Sequence, residues 1–270
     1  MSEIVEWRDN RFAELKQPYG WPSVVGLYEM RNSIAYFGNA DTNDFVIANG
    51  PSSFGFLSKT DTGLVMNPYT SIKSKIDGEP ARPVKLRTDL HPDGPTYGTH
   101  SSIQWHVIER NDTYFLRIKD SLSTYRSSLT EIPYYPIDER YKVTGRIKKN
   151  LSQDTSVHYK NILGMDISKK IDAVIEFEWE GNQHTLTAVE NDESSYMIMV
   201  HDQTTGLETY GGGRYMYPDK ADASGRVTLD FNKLINPPCV FTPFATCPLP
   251  PKSNHLPFEI KAGEKDLHLY

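Results

Sequence analysis

At 270 residues with a formal net charge of −6 and a pI near 5.8, the chain lacks the basic surface by which nucleic-acid and anionic-membrane binders displace counterions, so neither is an expected partner. Hydrophobic residues make up 38% and charged residues 24%, enough to bury a core, while no window nears the roughly 18 apolar residues of a membrane span. Two cysteines exclude a disulfide framework, and an N-terminus without an apolar run excludes a secretory signal. A soluble cytoplasmic protein with free thiols is expected.

Ser2 is positioned to cap a first helix, with Ile4, Val5, Phe12 and Leu15 near one face and Pro18 with Gly20 ending it. From Val24 the text changes to short apolar runs cut by turn pairs, as in "AYFGNADTNDFVIANGPSSFGFL", which is the punctuation of a β protein. "LHPDGPTYGTH", Leu90 to His100, reads as a long loop. Strands are predicted at Ile103 to Ile108, Tyr114 to Lys119 and Tyr141 to Ile147. A hairpin follows in which Ala173, Ile175, Phe177 and Trp179 alternate with Val174, Glu176, Glu178 and Glu180 before a Gly181-Asn182 turn. Further strands are predicted at Tyr196 to Val200, Gly213 to Tyr217 and Val227 to Phe231. The spacing predicts a mainly β fold, one antiparallel β-barrel or β-sandwich domain over residues 19–270, with an N-terminal helix over residues 1–18 packed on it.

The chain then enters "LINPPCVFTPFATCPLPPKSNHLPFEI", with seven prolines between Pro237 and Pro257 and both cysteines. Prolines remove backbone donors and favour extended geometry, so an irregular strap across the domain is expected. Asn232 and Asn236 are its expected anchors, and Phe241, Phe244 and Leu249 are expected to plug an open barrel end.

Two segments carry candidate chemistry. In "HDQTTGLETYGGGRYMYPD" the glycines before Arg214 would let the main chain approach a ligand while the guanidinium offers a planar fork to a carboxylate or phosphate. On that reading Tyr210, Gly213, Arg214, Asp230, Asn232 and Asn236 bind the ligand, and Asp202 or Asp230 is the polar partner. The plain alternative is a tight strand entry with Arg214 paired to Asp202 or Asp230 as a structural ion pair. Cys239 and Cys247 have seven residues between them, unlike the C-x-x-C of redox and zinc sites, so they are either small buried hydrophobes or a nucleophile needing a nearby base. Cys239, Cys247 and Asp202 are the catalytic candidates. Glu176, Glu178 and Glu180 read as a solvated face. No histidine spacing suggests a metal, no G-x-S-x-G elbow is present, and no cofactor is indicated.

"TYGGGRYMY", "LDFNKLINPPC", "FTPFATCPLPP" and "AGEK", in this order, resemble the signature of the family called domain of unknown function sixteen-eighty-four. "GWPSVVGLYEM", "YFGNADTND", "RIKDSLS" and "YYPIDERYKV" extend the resemblance from about Trp7 to Lys265. It implies a similar β-rich fold and no established activity. It does mark positions, namely Tyr210, Gly211, Gly213, Arg214, Asp230, Asn232, Asn236, Pro237, Pro238, Cys239, Cys247, Pro248 and Asn254. Gly212 departs from the alanine common in relatives.

The leading expectation is therefore a protein that binds, and possibly acts on, a small anionic metabolite in a β-barrel-type pocket, anchored by Arg214. The alternatives are thiol chemistry at Cys239 or Cys247, and a non-catalytic interaction module that docks a partner through the proline segment.

Overall fold

A computed structural model describes residues 3–148, 156–161 and 164–267. Ser2, the expected cap, lies outside them. The fold is mainly β with antiparallel sheets, opened by the helix α1 (Glu3–Leu15). The chain forms two compact units, residues 13–130 and residues 1–12 with 131–270.

The unit of residues 13–130 contains β1 (Val24–Glu29), β2 (Ile34–Gly38), β3 (Phe45–Val46), β4 (Gly55–Thr60), β5 (Gly63–Pro68), β6 (Lys75–Ile76), β7 (Glu79–Pro80), β8 (Val84–Lys85), β9 (Gly98–His100), β10 (Ile103–Arg110) and β11 (Thr113–Asp120). They form one sheet in the order β1-β11-β10-β9-β6-β7 and another in the order β3-β2-β4-β5-β8. Between these strands a core of Phe37, Phe54, Leu57, Trp105, Val107 and Leu116 is buried. Gly98 pairs directly with Trp105, and a Cβ at position 98 would stand 1.9 Å from the indole. Only glycine leaves room there for the ring.

The other face of β10 and β11 holds His106 opposite Arg117. His106 is buried, its Nδ1 has no hydrogen-bond partner among the described residues, and the Tyr97 ring meets it edge-on at 5.3 Å. Burial, then the charges of Arg117 and Lys119, push its pKa down to about 3, against a smaller opposing effect of Asp89. A histidine whose folded pKa lies below its unfolded value contributes stability that is complete above pH 6.5 and drains away as pH falls toward the folded pKa. Acidification from pH 6.5 to 4 should therefore cost about 3 kcal/mol through this residue alone. His106→Leu should flatten that part of the urea-denaturation pH profile. An unchanged slope would show that His106 is not buried neutral.

The second unit carries β12 (Lys142–Ile147), β13 (Ser156–Lys160), β14 (Asp166–Trp179), β15 (Asn182–Glu190), β16 (Tyr196–Val200), β17 (Arg214–Met216) and β18 (Arg226–Asp230). Its sheet runs β17-β16-β15-β14-β12-β18, with β13 paired to β14. Ala173, Ile175 and Phe177 are buried as the alternation requires, with Leu186, Ile198, Leu229 and Phe231 in the same core. The hairpin turn falls one residue earlier than predicted, because Trp179 pairs with Asn182 and the two central residues are Glu180 and Gly181. Both have positive φ, 49° and 79°, as a two-residue turn matching the strand twist needs. No helix among the described residues is long and apolar enough to cross a membrane.

Candidate functional site

The signature residues of the second unit gather around three centres. The first is Arg214, at the start of β17 where it pairs with Val200 of β16. Its side chain is fully buried. Nη2 donates to Asp202 Oδ2 at 2.9 Å and to the Ile260 carbonyl at 2.9 Å, while Nη1 donates to the carbonyls of Ala262 at 2.5 Å and Glu264 at 3.2 Å. Nε has no partner among the described residues. Asp202 is equally buried, and its Oδ1 accepts from the amide and hydroxyl of Thr204 and from the Ile260 amide. Of the two acids weighed for Arg214, Asp202 is the partner. The fork grips the chain's own C-terminal segment, residues 260–264, in the way it would grip a carboxylate ligand.

Asp230 is elsewhere. Its Oδ1 accepts from the amide and side-chain nitrogen of Asn232, capping the short turn Phe231–Lys233. Asn232 then exchanges hydrogen bonds with both main-chain groups of Asp138, so it pins that segment and not the proline strap. Asn236 donates from its side chain to the Lys265 carbonyl at 2.8 Å and from its amide to Glu264 Oε2 at 2.6 Å.

Glu264 is the second centre, and it lay unremarked inside the "AGEK" stretch. It is fully buried, 3.3 Å from Arg11 Nε of α1, and accepts from the Tyr134 hydroxyl. Burial pushes its pKa up, opposed first by Arg11 and then by the Asn236 amide. Arg11 also donates to the Asn236 carbonyl and lies over the Phe241 ring. No local pattern could have found this pair, since 253 positions separate Arg11 from Glu264.

The strap is held where a strand partner would sit. Asn254, with no exposed surface, accepts from the Thr187 amide at 2.7 Å and donates to the Thr187 and Met199 carbonyls at 2.8 Å each. Gly213 has φ 80°, and a Cβ there would meet Pro250 Cγ at 2.5 Å and the Val200 carbonyl at 2.6 Å. The glycine therefore serves close packing of strap on sheet. Phe241 is buried as expected, whereas Phe244 and Leu249 are half-buried.

The third centre is the thiol pair. Cys239 and Cys247 are both reduced and nearly sealed, 6% and 4% exposed. The strap doubles back so that the Cys239 amide donates to Cys247 Sγ at 3.1 Å. The Cys239 thiol is held below its ordinary range by a hydrogen bond with Cys247, which outweighs the burial that pushes it up, and a hydrogen bond with Tyr210 acts in the same direction. The Tyr215 hydroxyl donates to the Pro248 carbonyl at 2.5 Å, and burial drives its pKa well up. A thiolate with hydrogen-bond donors beside a second thiol is the arrangement in which one sulfur attacks and the other resolves. Among the described residues no group of three or more metal-ligating side chains is present.

Thus Tyr210, Cys239 and Cys247 come together, Arg214 meets Asp202, and Asp230 with Asn232 forms a separate cap. No curated protein matches the chain. An uncharacterized protein from Haloarcula marismortui, solved by solution NMR, is similar over 53% of this chain and 80% of its own, with 29% identity and a TM-score of 0.44. The matched family model spans residues 127–265, short of the resemblance read from about Trp7, and takes in the three centres apart from Arg11; by that match the chain belongs to the family described as Protein of unknown function (DUF1684).

Proposed function

We propose that the protein works through Cys239 and Cys247 as a dithiol that closes reversibly to a disulfide. The observation that carries this reading is that the strap brings together two cysteines without C-x-x-C spacing, the Cys239 amide donating to Cys247 Sγ at 3.1 Å. A hydrogen bond between the two thiols makes them neighbours, as closure to a disulfide requires. Hydrogen-bond donors at Cys239 favour its thiolate, which is the attacking form. In the cytoplasm, the location we propose on the grounds of composition, the resting state is the dithiol.

A small anionic metabolite at Arg214 is the second reading. Its support is the guanidinium Nε, buried without a partner among the described residues. Against it, both Nη atoms already bond Asp202 and three carbonyls, and a ligand would have to displace them. The partner-docking reading is weaker still, because Asn254, Leu256 and Pro251 are buried and the strap is pinned rather than free.

The test is oxidation of the full chain with diamide followed by intact mass measurement and iodoacetamide labelling. Both thiols should disappear together with loss of two hydrogen atoms per chain, and Cys247→Ser should abolish that change. Independent titration of the two thiols, or oxidation only to intermolecular dimers, would defeat the proposal.

A further inference from the structure

We propose that the stacked pair His201 and His255 is an acid-operated latch between the end of β16 and the proline strap. It stands independently of the thiol reading. The strap's last stretch runs beside the chain leaving β16, where His201 and His255 form a parallel bridge. The His201 amide donates to the Asn254 carbonyl at 3.1 Å, the Leu256 amide to the His201 carbonyl at 2.8 Å, and the Gln203 amide to the Phe258 carbonyl at 3.1 Å. Across this ladder the two imidazoles lie face to face, with centroids 4.3 Å apart and planes 11° from parallel. His201 is half-buried and His255 exposed, so the pair is open to solvent on the strap side.

Neutral imidazoles stack as aromatic rings, whereas two imidazoliums at this separation repel, and histidine is the side chain whose charge changes between about pH 5 and 8. Burial, then the charge of His255, holds His201 below the ordinary histidine range, against a smaller opposing effect of Asp202. The surroundings give a doubly charged pair little relief. On the β17 side the Asp202 carboxylate is committed to Arg214, Thr204 and the Ile260 amide. On the strap side the short turn Lys252–Asn254, whose Lys252 carbonyl accepts the His255 amide, adds a lysine of the same sign. From β15 that turn is met by Thr187, which is neutral.

A histidine whose folded pKa lies below its unfolded value gives stability that is complete above the unfolded value and is lost as pH falls toward the folded one. Here the loss falls on the ladder that the two rings span, because that is what keeps the like charges together. Neutral pH therefore holds residues 254–258 against the end of β16, and acid loosens them. Opening uncovers Leu256, which is buried in the core of this unit, and Phe258, which stacks on Trp179. Asn254 is the hinge, since its side-chain bonds to Thr187 and Met199 involve no titratable group. The pinning that counts against partner docking is thus a property of the neutral state.

Amide hydrogen exchange of the full chain, followed by NMR and corrected for the intrinsic effect of pH, tests the latch at Leu256 and Gln203. Their protection should fall at least about tenfold between about pH 7.5 and 5, as a local opening does, while protection of Ile175 and Leu186, paired on β14 and β15, changes less than about twofold. His255→Gln, at an exposed position, should abolish the fall at Leu256 and Gln203. The same variant should raise the His201 titration midpoint toward that of an ordinary histidine, a coupling that a merely structural contact would not show. Unchanged protection in the parent, or a fall shared equally by Ile175 and Leu186, would overturn the latch. So would a fall that persists in His255→Gln, or a His201 midpoint that does not move.

Discussion

Asp202→Asn should lower stability by about 3–5 kcal/mol, the cost of leaving a buried charge without its counter-charge. The substitution keeps the shape and one acceptor for Thr204 and Ile260 but strips the charge from the group 2.9 Å from Arg214 Nη2. The guanidinium cannot reach solvent, since the side chains of both partners are 0% exposed. Arg214→Met should cost a similar amount for the mirror-image reason, and it also frees the carbonyls of Ile260, Ala262 and Glu264. The double variant Asp202→Asn/Arg214→Met should be less destabilised than the sum of the single ones, because each single change strands the other group. Urea denaturation of the three variants measures this directly. Additive losses below about 1 kcal/mol each, the size seen for exposed pairs, would mean the pair is not the staple described.

The second large effect belongs to Asn254. Asn254→Ala leaves the Thr187 amide and the Thr187 and Met199 carbonyls without partners in a region from which water is excluded. At about 1–3 kcal/mol per stranded group the loss should be about 3 kcal/mol or more. Asn254→Asp separates hydrogen bonding from volume. It retains an acceptor for the Thr187 amide but sets a carboxylate against two carbonyls, so its burden should ease as pH falls and the acid protonates. A loss of stability of less than about 0.5 kcal/mol by urea denaturation, the range of ordinary surface changes, would show that the strap is not held by this residue.

Much of the architecture was legible in local pattern. Ala173, Ile175 and Phe177 alternate with Val174, Glu176 and Glu178 and are buried on one face, because side chains along a strand project to opposite sides in turn. The turn was misplaced by one residue because Glu180, not Asn182, takes the positive φ beside Gly181, a choice governed by which cross-strand pairs close the ladder. Asn232 and Asn236 were recognised as anchors, but what they anchor was not. Asn232 holds Asp138 and Asn236 holds Lys265, partners that enter from chain far away. Glu264 carried no local signal beyond its place in the "AGEK" stretch, since a lone glutamate after Ala-Gly reads as exposed until Arg11, Tyr134 and the Asn236 amide close on it.

The sequence by itself determined the β character, the opening helix, the irregular proline-rich strap and the family resemblance, which the family match bears out over residues 127–265. These follow from side-chain periodicity, from the donors that proline lacks and from motif order, all of which are local or linear properties. Only the tertiary structure decided that Arg214 takes Asp202 and not Asp230, and that Cys239 meets Cys247. Those choices depend on strand register and on where the strap doubles back. A guanidinium or a thiol has the same local chemistry whichever partner it meets, so the partner is set by long-range packing and not by its neighbours in the chain.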